Sequence, residues 1–536
     1  MSTGAERPGA PAVVPPRFAS DAEPALPCRS ACRATVLSLA VALAAMAIVT
    51  VRFAPRFVYW LGLPVASDLP ITPIEIGRAG PTLEQINDPF APVASKGHIV
   101  IAWRLLFPLV WYALRLPSGL FLAMPQLGCG LTLWLLAWLT YQRLRNWWTT
   151  ALVTTLFGAL PWFFVSSGWL TYFDSWLVLG LLAVAFVRSR WAVAVSCLLT
   201  PWVDERFVLA LPVCMLVRLA AMRCVEEQRW QAIRWDIVTA LTASLPYLTV
   251  RAVVFLRGDP DSAAYVQSHW HTVHAVARTR YLLGFWSGYR VGWLFIGLAV
   301  VLWTGRAGRG WGAALALVVF GDAVGGLFIA WDMSRTLMIL SPVFVLGIWL
   351  WEEWRGVAYG WLLPLLLTAN MLLPAAHVTW FINVGISTLP AEIHRWNDPP
   401  PILAAVECVR RARAAQAAGK LTDALAYFDA ALAADSSYAQ AYVERGILRM
   451  NQGDLAGAQR DVSEALAANA DYPFALLLRG VLRASEGQIA QAVNDLRQAL
   501  ERSPADWDRR DATQRLLEQL QAQLQQGDQP LGAPPC

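Results

Sequence analysis

Long apolar segments dominate the first 380 residues and constrain the fold more than any other feature of the sequence. A helix needs about 20 mostly apolar residues to cross the roughly 30 Å hydrocarbon core of a bilayer. The whole chain is 57% hydrophobic and 15% charged, whereas soluble domains carry about 25% charged residues. We therefore predict a multi-pass integral membrane protein with about 9–11 spans, two half-helices included. The full-length candidates are residues 33–53, 118–140, 147–167, 172–188, 236–256, 282–303, 311–331, 336–351 and 356–377.

Arginines at the ends of these segments predict how the chain is oriented in the membrane. The stretches 141–147, 188–190, 218–235 and 304–310 are rich in arginine, and cytoplasmic loops carry an excess of positive residues. We therefore place these stretches and the N-terminus in the cytoplasm, at a bacterial inner membrane. The remaining connections, and everything after residue 378, then face outward. Because topology explains the arginines, they predict no nucleic-acid partner.

The apolar run over residues 191–217 contains three consecutive ionisable residues, Asp204, Glu205 and Arg206. A charge at the bilayer centre costs roughly 2.5–3.5 kcal/mol on insertion scales. Both flanks of the run are predicted to be cytoplasmic, and the run is too short to cross the membrane twice. Pro201 disfavours helical geometry at the residue before it. We therefore expect two half-helices, or a re-entrant hairpin, with the three charges at the turn.

Two interpretations of this turn remain open. In the first, Asp204 and Arg206 neutralise each other and only hold the turn in place. In the second, the turn lines a polar cavity that takes a charged ligand, because charges buried in membrane segments tend to mark substrate paths.

Further ionisable residues gather on the predicted outer side. Tyr172 and Asp174 lie at the outer end of one span, and Asp332 and Arg335 lie in a short connection between two others. Residues 97–117 are predicted to form an interfacial amphipathic helix. Short loops are usually polar and interfacial arginines anchor helices, so each residue also has a structural explanation. Their convergence on one side nevertheless favours a substrate site, with the predicted binding residues His98, Arg104, Tyr172, Asp204, Glu205, Arg206, Asp332 and Arg335.

The segment SHWHTVH, residues 268–274, contains three histidines, at positions 269, 271 and 274. On a helix the first two point about 200° apart, and on a strand the last two point to opposite faces. We therefore predict no metal site here, and the sequence indicates no divalent cation as a cofactor. The eight cysteines include no CxxC pair and no zinc-finger spacing.

The C-terminal part of the chain repeats at an interval of 34 residues. Residues 441–470 match residues 476–504 at this shift, with glycine, alanine and aspartate falling at the same positions in both. A 34-residue period with small residues at these positions resembles the tetratricopeptide repeat (TPR), a helix–turn–helix unit. The resemblance predicts three repeats, at 405–438, 439–472 and 473–506, and a capping helix near 507–525. The matching pairs are Gly446 and Gly480, Gly453 and Gly487, Ala458 and Ala492, Asp461 and Asp495, and Ala465 and Ala499.

The TPR resemblance implies a concave groove that binds a peptide or a protein surface. A purely structural spacer is the alternative. Taken with the apolar part, the predicted fold class is all-α: a polytopic transmembrane helix bundle followed by a TPR α-solenoid. The predicted domains are a disordered cytoplasmic N-terminus (1–31), a membrane domain (32–380), a linker (381–404), the TPR domain (405–526) and a tail (527–536). The predicted partner-binding residues are Tyr442, Arg445, Arg449 and Arg479.

The order of segments in residues 33–380 resembles the glycosyltransferase C (GT-C) superfamily of membrane sugar transferases. The shared features are an inside N-terminus, one span, a long outer loop with an interfacial helix, and several further spans with short helices. The resemblance rests on this architecture rather than on a motif. It implies transfer of a sugar from a polyprenyl-phosphate donor to an acceptor at the outer face, with the bilayer, the donor and a TPR-bound protein as partners.

The GT-C resemblance also implies residue roles. Members commonly place a carboxylate base in the first outer loop, where it deprotonates the acceptor hydroxyl, and basic residues hold the lipid phosphate. No acidic pair follows Phe53 directly, and the first outer carboxylate is Asp68. The expected roles are base for Asp68 or Asp88, acceptor orientation or help in binding a metal for Asp174, and phosphate binding for Arg104, Arg206 and Arg335.

Two other classes of protein fit parts of the pattern. A non-enzymatic membrane scaffold or assembly factor would display the repeats to recruit partners, but it needs neither many spans nor a charged turn in the membrane. A transporter uses half-helices of this kind but usually shows an internal repeat of its spans, and the sequence shows none.

Overall fold

Where the structure describes the chain, its regular structure is helical apart from one small sheet. The computed structural model describes residues 28–54, 82, 85–90, 104–169, 171–222, 226–256, 276, 278–328, 332–355, 359–379, 383–397, 401–503, 507 and 509–527. Strands β1 (Ala376–Val378) and β2 (Asn383–Gly385) pair antiparallel, with Ala376 opposite Gly385. The predicted all-α class is confirmed.

The helices before residue 380 follow the predicted apolar segments, but several of them are shorter. Three-residue or four-residue 3-10 turns at Thr200–Trp202, Arg290–Gly292 and Leu337–Leu340 connect neighbouring helices. In chain order the helices are α1 (Cys28–Arg52), α2 (Leu106–Leu114), α3 (Ser118–Leu144), α4 (Trp147–Gly158), α5 (Pro161–Gly168), α6 (Asp174–Phe186), α7 (Arg190–Leu199), α8 (Arg206–Ala221), α9 (Glu226–Leu256), α10 (Arg278–Tyr289), α11 (Trp293–Ala307), α12 (Arg309–Phe328), α13 (Met333–Thr336), α14 (Ser341–Trp354) and α15 (Leu362–Leu372).

Five helical stretches in the described residues are long and apolar enough to cross a membrane, and α4 with α5 adds a sixth if this pair, bent by 60°, is one span. Helices α6 and α15 are apolar but have only 13 and 11 residues. At 1.5 Å per residue they fall short of a core of roughly 30 Å. The structure thus offers fewer full-length candidates than the nine to eleven predicted spans. The five are Cys32–Arg52, Ser118–Leu144, Arg278–Ala307, Arg309–Phe328 and Met333–Trp354.

Prolines explain two of the breaks that hydropathy does not reveal. Pro161 begins α5 and has no amide hydrogen to continue the hydrogen bonding of α4, so the chain bends before it. The break predicted within residues 191–217 is confirmed. Helix α7 ends at Leu199, the turn containing Pro201 follows, and α8 begins at Arg206.

Helix α14 is the centre of the bundle. The most apolar window of Met333–Trp354 is completely buried, and its side chains pack against aromatic residues such as Phe157 and Phe295. A Cβ atom added to Gly347 would collide with the backbone carbonyl oxygen of Phe295. Glycine therefore lets the backbones of α11 and α14 approach closely, as small residues do between membrane helices.

The four arginine-rich stretches meet at one end of the bundle. Arg143 and Arg306 both bind the carboxylate of Glu353, at 2.6 and 2.9 Å. Arg143 also donates to the carbonyl oxygen of Ala221, close to Arg218, which binds Asp236 at 2.6 Å. Arg218 in turn donates to the carbonyl oxygens that end α6. The stretches that were predicted to share one side of the membrane are therefore neighbours in the fold.

The C-terminal part forms three antiparallel helix pairs and a capping helix, as TPR-type repeats do. Gly419, Gly453 and Gly487, which are 34 residues apart, lie between the helices of each pair with φ of +74°, +84° and +79°. This left-handed backbone conformation favours glycine. After α16 (Leu389–Asn397), which precedes the repeats, the pairs are α17 (Pro401–Ala417) with α18 (Leu421–Ala434), α19 (Ala439–Asn451) with α20 (Leu455–Ala468), and α21 (Pro473–Ser485) with α22 (Ile489–Arg502), and the capping helix is α23 (Arg510–Gly527).

The first repeat packs against the helix bundle. One hydrophobic cluster contains Phe107 and Trp111 of α2 and Val203, together with Val409 and Phe428 of α17 and α18. The end of the bundle that holds α2 and the turn after α7 therefore adjoins the repeats.

Candidate functional site

A group of buried ionisable side chains, called here the charge cluster, lies where α2, α6, α8 and α13 meet. It brings together residues that are far apart in the sequence, and most of them were predicted to bind substrate. Its members are Arg104, Asp174, Asp204, Glu205, Arg206, Asp332 and Arg335.

Asp174 is at the centre of the charge cluster and is completely buried. It is the first residue of α6, so its carboxylate lies near the positive end of the helix dipole. Its Oδ1 accepts a hydrogen bond from Nη2 of Arg206 at 2.6 Å, and its Oδ2 accepts one from Nη1 of Arg335 at 2.9 Å. The carboxylate is therefore held between two guanidinium groups.

Asp204 and Arg206 form a two-point pair across the turn that precedes α8. Nε and Nη2 of Arg206 donate to the two carboxylate oxygens of Asp204, at 2.8 and 2.6 Å. The backbone N–H of Arg206 donates to the same carboxylate at 3.1 Å, and Nη1 donates to the hydroxyl of Thr336 at 3.3 Å. This geometry matches the interpretation in which the pair holds the turn, and it adds a link to Asp174 that the sequence did not indicate.

The edges of the charge cluster approach the surface. Arg104 lies 3.3 Å from Asp204 and donates to both oxygens of Glu205, at 3.1 and 2.9 Å. The Glu205 side chain is 32% exposed. At the other edge Arg335 binds Asp332, which is also partly exposed. A ligand would therefore meet Glu205 or Asp332 before it met Asp174.

His377 adds an aromatic side to the charge cluster. Its Nε2 lies 3.5 Å from Oδ1 of Asp332, and its Nδ1 lies 3.4 Å from Oγ of Ser334. The ring of Tyr172 lies 4.7 Å from the guanidinium carbon of Arg335 and packs edge-on against His377. The sequence did not indicate that His377 or Ser334 belongs to the site. The histidine stands alone in its segment, and only strand β1 brings it to the cluster.

The charge cluster combines three arginines with four carboxylates, and each of these carboxylates is paired with an arginine. A general base must be able to reach the proton that it removes, whereas Asp174 and Asp204 are buried and engaged by arginine. Removing one partner of a buried ion pair costs about 3–5 kcal/mol because it leaves a charge uncompensated. The arrangement is therefore well suited to holding four chain segments together.

The structure leaves other predicted site residues outside the charge cluster or outside the described residues. Asp88 is exposed, and its Oδ1 accepts the N–H of Phe90 at 3.2 Å. Asp68 and His98 lie outside the described residues, as do the three histidines of residues 268–274. In the part of the chain that the structure describes, no group of three histidine, cysteine or acidic side chains is arranged to hold a metal ion.

The predicted partner-binding arginines of the repeats belong to a second array, called here the repeat ladder. Arg445 and Arg449 bind the buried Asp461, at 2.6 and 3.0 Å. One repeat later, Arg479 and Arg483 bind the buried Asp495, at 2.8 and 2.7 Å. The ring of Tyr442 lies 5.7 Å from the guanidinium carbon of Arg445. Each arginine joins the first helix of a repeat to the second, and a role in partner binding stays a prediction.

Comparison with known proteins adds little to these observations. No family model matches the chain, and no curated protein matches it. Among solved structures, the chain is similar to the first TPR of Spaghetti (RPAP3) bound to the HSP90 peptide SRMEEVD, with 20% identity and a TM-score of 0.22. The similarity covers 23% of this chain and 98% of that chain. The helix pairs and their glycine turns, and not this similarity, carry the TPR-type assignment.

Proposed function

We propose that this chain is an integral membrane protein that binds a protein partner with its TPR-type repeats, next to the outer end of the bundle. The hydrophobic cluster shared by Trp111, Val203 and Val409 carries this proposal. Val203 precedes Asp204, so the packing of the first repeat keeps the array beside the charge cluster. A partner bound in the groove of the array is then held against the membrane domain.

The proposed orientation puts the repeats outside the cytoplasm, at a bacterial inner membrane. Helix α1 is one full-length candidate span, and the residue after Phe53 donates its backbone N–H to the carbonyl oxygen of Ser387 at 3.0 Å. The chain therefore enters the repeats at the end of α1 that is opposite the N-terminus. With the arginine-rich end in the cytoplasm, the repeats face the periplasm. Alkaline phosphatase fused after residue 527 should be active, because the enzyme works only outside the cytoplasm. An inactive fusion would indicate the opposite orientation.

Site-specific photo-crosslinking in native membranes tests partner binding. A photoreactive residue at Tyr442, in the first helix of the second repeat, should give a discrete crosslinked protein. The same residue at Ser463, which is exposed on the second helix of that repeat, is the matched control and should not give it. Equal crosslinking from both positions, or none from either, would contradict the proposal.

A second candidate function is sugar transfer from a polyprenyl-phosphate donor. The observation that favours it is the convergence of Arg104, Arg206 and Arg335 at one end of the bundle. Guanidinium groups bind phosphate in two-point geometry. In this reaction the acceptor hydroxyl attacks the anomeric carbon and loses its proton to Asp68 or Asp88, and the lipid phosphate leaves. The charge cluster would have to open for the arginines to reach that phosphate.

Turnover in nanodiscs separates the two functions. Purified protein is given a polyprenyl-phosphate sugar with a radiolabel, and release of the label from the lipid is measured. Under this candidate function, Asp68→Asn or Asp88→Asn lowers the rate at least about a hundredfold, while the exposed control Asp471→Asn leaves it unchanged. If a sample that still crosslinks its partner shows no turnover with any of several sugars, sugar transfer is contradicted and partner binding remains as the function.

A further inference from the structure

Two arginines outside the charge cluster, Arg52 and Arg290, form what is called here the arginine pair. Arg52 is the last residue of α1, and Arg290 begins the 3-10 turn between α10 and α11. Both guanidinium carbons lie 5.0 Å from the centre of the Phe53 ring. Both groups also donate to the carbonyl oxygen of Leu373, at 3.4 and 3.3 Å. The two donating nitrogens are thus at most about 7 Å apart, and like charges this close repel each other where the dielectric constant is low.

The arginine pair has no carboxylate partner in the described part of the chain. Its hydrogen bonds go to backbone carbonyl oxygens: Arg52 donates to Met371 at 2.6 Å, and Arg290 donates to Asn370 at 2.8 Å and to Ala159. These carbonyls end α15 and α4. Arginine side chains often cap helix C-termini in this way, so capping explains the carbonyl contacts. It leaves the excess positive charge without a counter-ion.

Two buried polar groups beside these contacts have no hydrogen-bond partner. Arg290 is only 1% exposed, and its Nε donates to no acceptor. The side chain of Asn370 is completely buried, and neither its amide nitrogen nor its oxygen is bonded. A buried donor left unsatisfied costs about 1–3 kcal/mol. The backbone of Arg290 is also in the left-handed region, with φ of 51°, a conformation that costs energy in a residue other than glycine.

Counting charges indicates what kind of ligand would complete the site. The pair contributes two positive charges, and the C-termini of α1, α4 and α15, which adjoin it, each contribute about half a negative charge. The site therefore keeps a net positive charge, which favours an anion such as a phosphodiester. Guanidinium groups bind phosphoryl oxygens in two-point geometry. In the proposed orientation, Arg52 ends a membrane span at the outer surface, where phospholipid headgroups supply this anion.

We propose that the arginine pair and Asn370 bind the phosphodiester of an anionic phospholipid at the outer end of α1. The proposal uses only the membrane insertion that is part of the proposed function. It is independent of the TPR ligand and of sugar transfer. The headgroup meets the partly exposed Arg52 first. The free donors of Arg290 and Asn370 are buried, so these side chains turn toward the headgroup while the helix-capping contacts of the pair stay in place.

Native mass spectrometry of the full-length protein tests the site. Delipidated protein in detergent is titrated with phosphatidylglycerol, with zwitterionic phosphatidylcholine, and with inorganic phosphate. We expect one phosphatidylglycerol to bind in preference to phosphatidylcholine. Arg52→Gln and Asn370→Ala should each weaken it about tenfold, because hydrogen bonds to charged groups contribute that much. Asn370→Ala keeps the capping carbonyl, so it gives a result even if arginine variants fold poorly.

The matched control is Arg115→Gln, which changes an exposed arginine outside the pair and should leave lipid binding unchanged. Tight binding of inorganic phosphate that displaces the lipid would assign the phosphoryl site to a soluble phosphate and overturn the lipid assignment. Equal binding of both lipids to every variant would overturn the site itself. Failure of the protein to insert into nanodiscs would instead count against the proposed function.

Discussion

The charge cluster and the repeat ladder are both arrays of arginine around buried aspartate, but they are built in different ways. In the repeat ladder each ion pair joins residues 12 or 16 positions apart, and the next repeat contains the same pairs. In the charge cluster, Asp174 binds arginines that are 32 and 161 positions away. The repeat ladder is local and periodic, whereas the charge cluster is unique and long-range.

The two arrays also differ in how much their arginines depend on their aspartate partners. The ladder arginines are more exposed than those of the charge cluster, with exposed fractions of 14% for Arg445 and 25% for Arg449 on Asp461, and of 33% for Arg479 and 30% for Arg483 on Asp495. Water can therefore solvate them if an aspartate is lost. In the charge cluster Arg206 and Arg335 are buried, so they depend on their carboxylates. The same chemistry should consequently contribute more to stability in the bundle than in the repeats.

The largest expected effect is that of Asp174→Asn. The substitution removes the carboxylate between two buried arginines and should destabilise the bundle by about 3–5 kcal/mol. Thermal unfolding in detergent measures the loss, with tryptophan fluorescence reporting on the bundle, which holds nearly all the tryptophans, and circular dichroism reporting on the helices of both parts. Asp495→Asn is the matched control, and a loss as large as that of Asp174→Asn would erase the contrast between the two arrays.

Replacing a whole ion pair should cost less than breaking it. In the double variant Asp174→Leu with Arg206→Met, Arg335 keeps Asp332 and Asp204 keeps Arg104. Apolar replacements of buried ion pairs are often neutral or stabilising, so the double variant should regain at least about half of the loss caused by Asp174→Leu alone. Losses that simply add in a double-mutant cycle would show that the two side chains are not coupled.

The two buried aspartates of the repeat ladder, Asp461 and Asp495, should contribute equally to stability. Asp461→Asn and Asp495→Asn each break a pair of bonds to partly exposed arginines, and each should cost about 1–2 kcal/mol. Because the two repeats are built alike, the two losses should agree within about 0.5 kcal/mol. Urea unfolding of the full chain, with helix content as the readout, makes the comparison. Arg445 also binds Asp429. A clearly larger loss of stability in Asp461→Asn would show that this additional ion pair depends on Asp461.

The smallest effect is expected in the first repeat, which lacks the ladder because Tyr427 stands where the others have aspartate. The side chain of Arg410 hydrogen-bonds Glu407 and lowers the pKa of that carboxyl to about 2. A lowered pKa adds stability above the unfolded value near 4.5, and this stability is lost as the pH falls through 2. The pair is exposed, so the gain is at most about 1 kcal/mol. In Glu407→Gln the unfolding temperature should fall less between pH 5 and pH 2, and an unchanged pH dependence would contradict this origin.

The two arrays also differ in how far the sequence predicts them. The 34-residue period predicted the helix pairs, the turn glycines and the equivalence of Asp461 with Asp495, because these features depend on contacts within a repeat or between neighbouring repeats. Even so, the sequence did not predict that Arg445 and Arg479 would be occupied by those aspartates. Spacing shows which positions are equivalent, but not which side chains meet.

In the bundle the sequence predicted which residues matter but not how they combine. Hydropathy located the helices, yet it missed the bend before Pro161 and the short length of α6. Arg104, Asp174, Arg206 and Arg335 were predicted from their unusual positions, but as partners of a ligand rather than of one another. Pairing between distant residues depends on tertiary packing. The bundle has no sequence repeat, so its local patterns do not show which distant side chains meet.

The contacts between the end of α1 and the end of α15 have a consequence for the order in which parts of the protein fold during synthesis. Arg52 docks on carbonyl oxygens of Met371 to Leu373, so α1 completes its contacts only after almost the last bundle residue is made. Domains usually fold from the N-terminus as synthesis proceeds. Here this end of the bundle closes late, just before the repeats emerge, and a ribosome stalled before residue 370 would leave Arg52 without the carbonyl oxygens on which it docks.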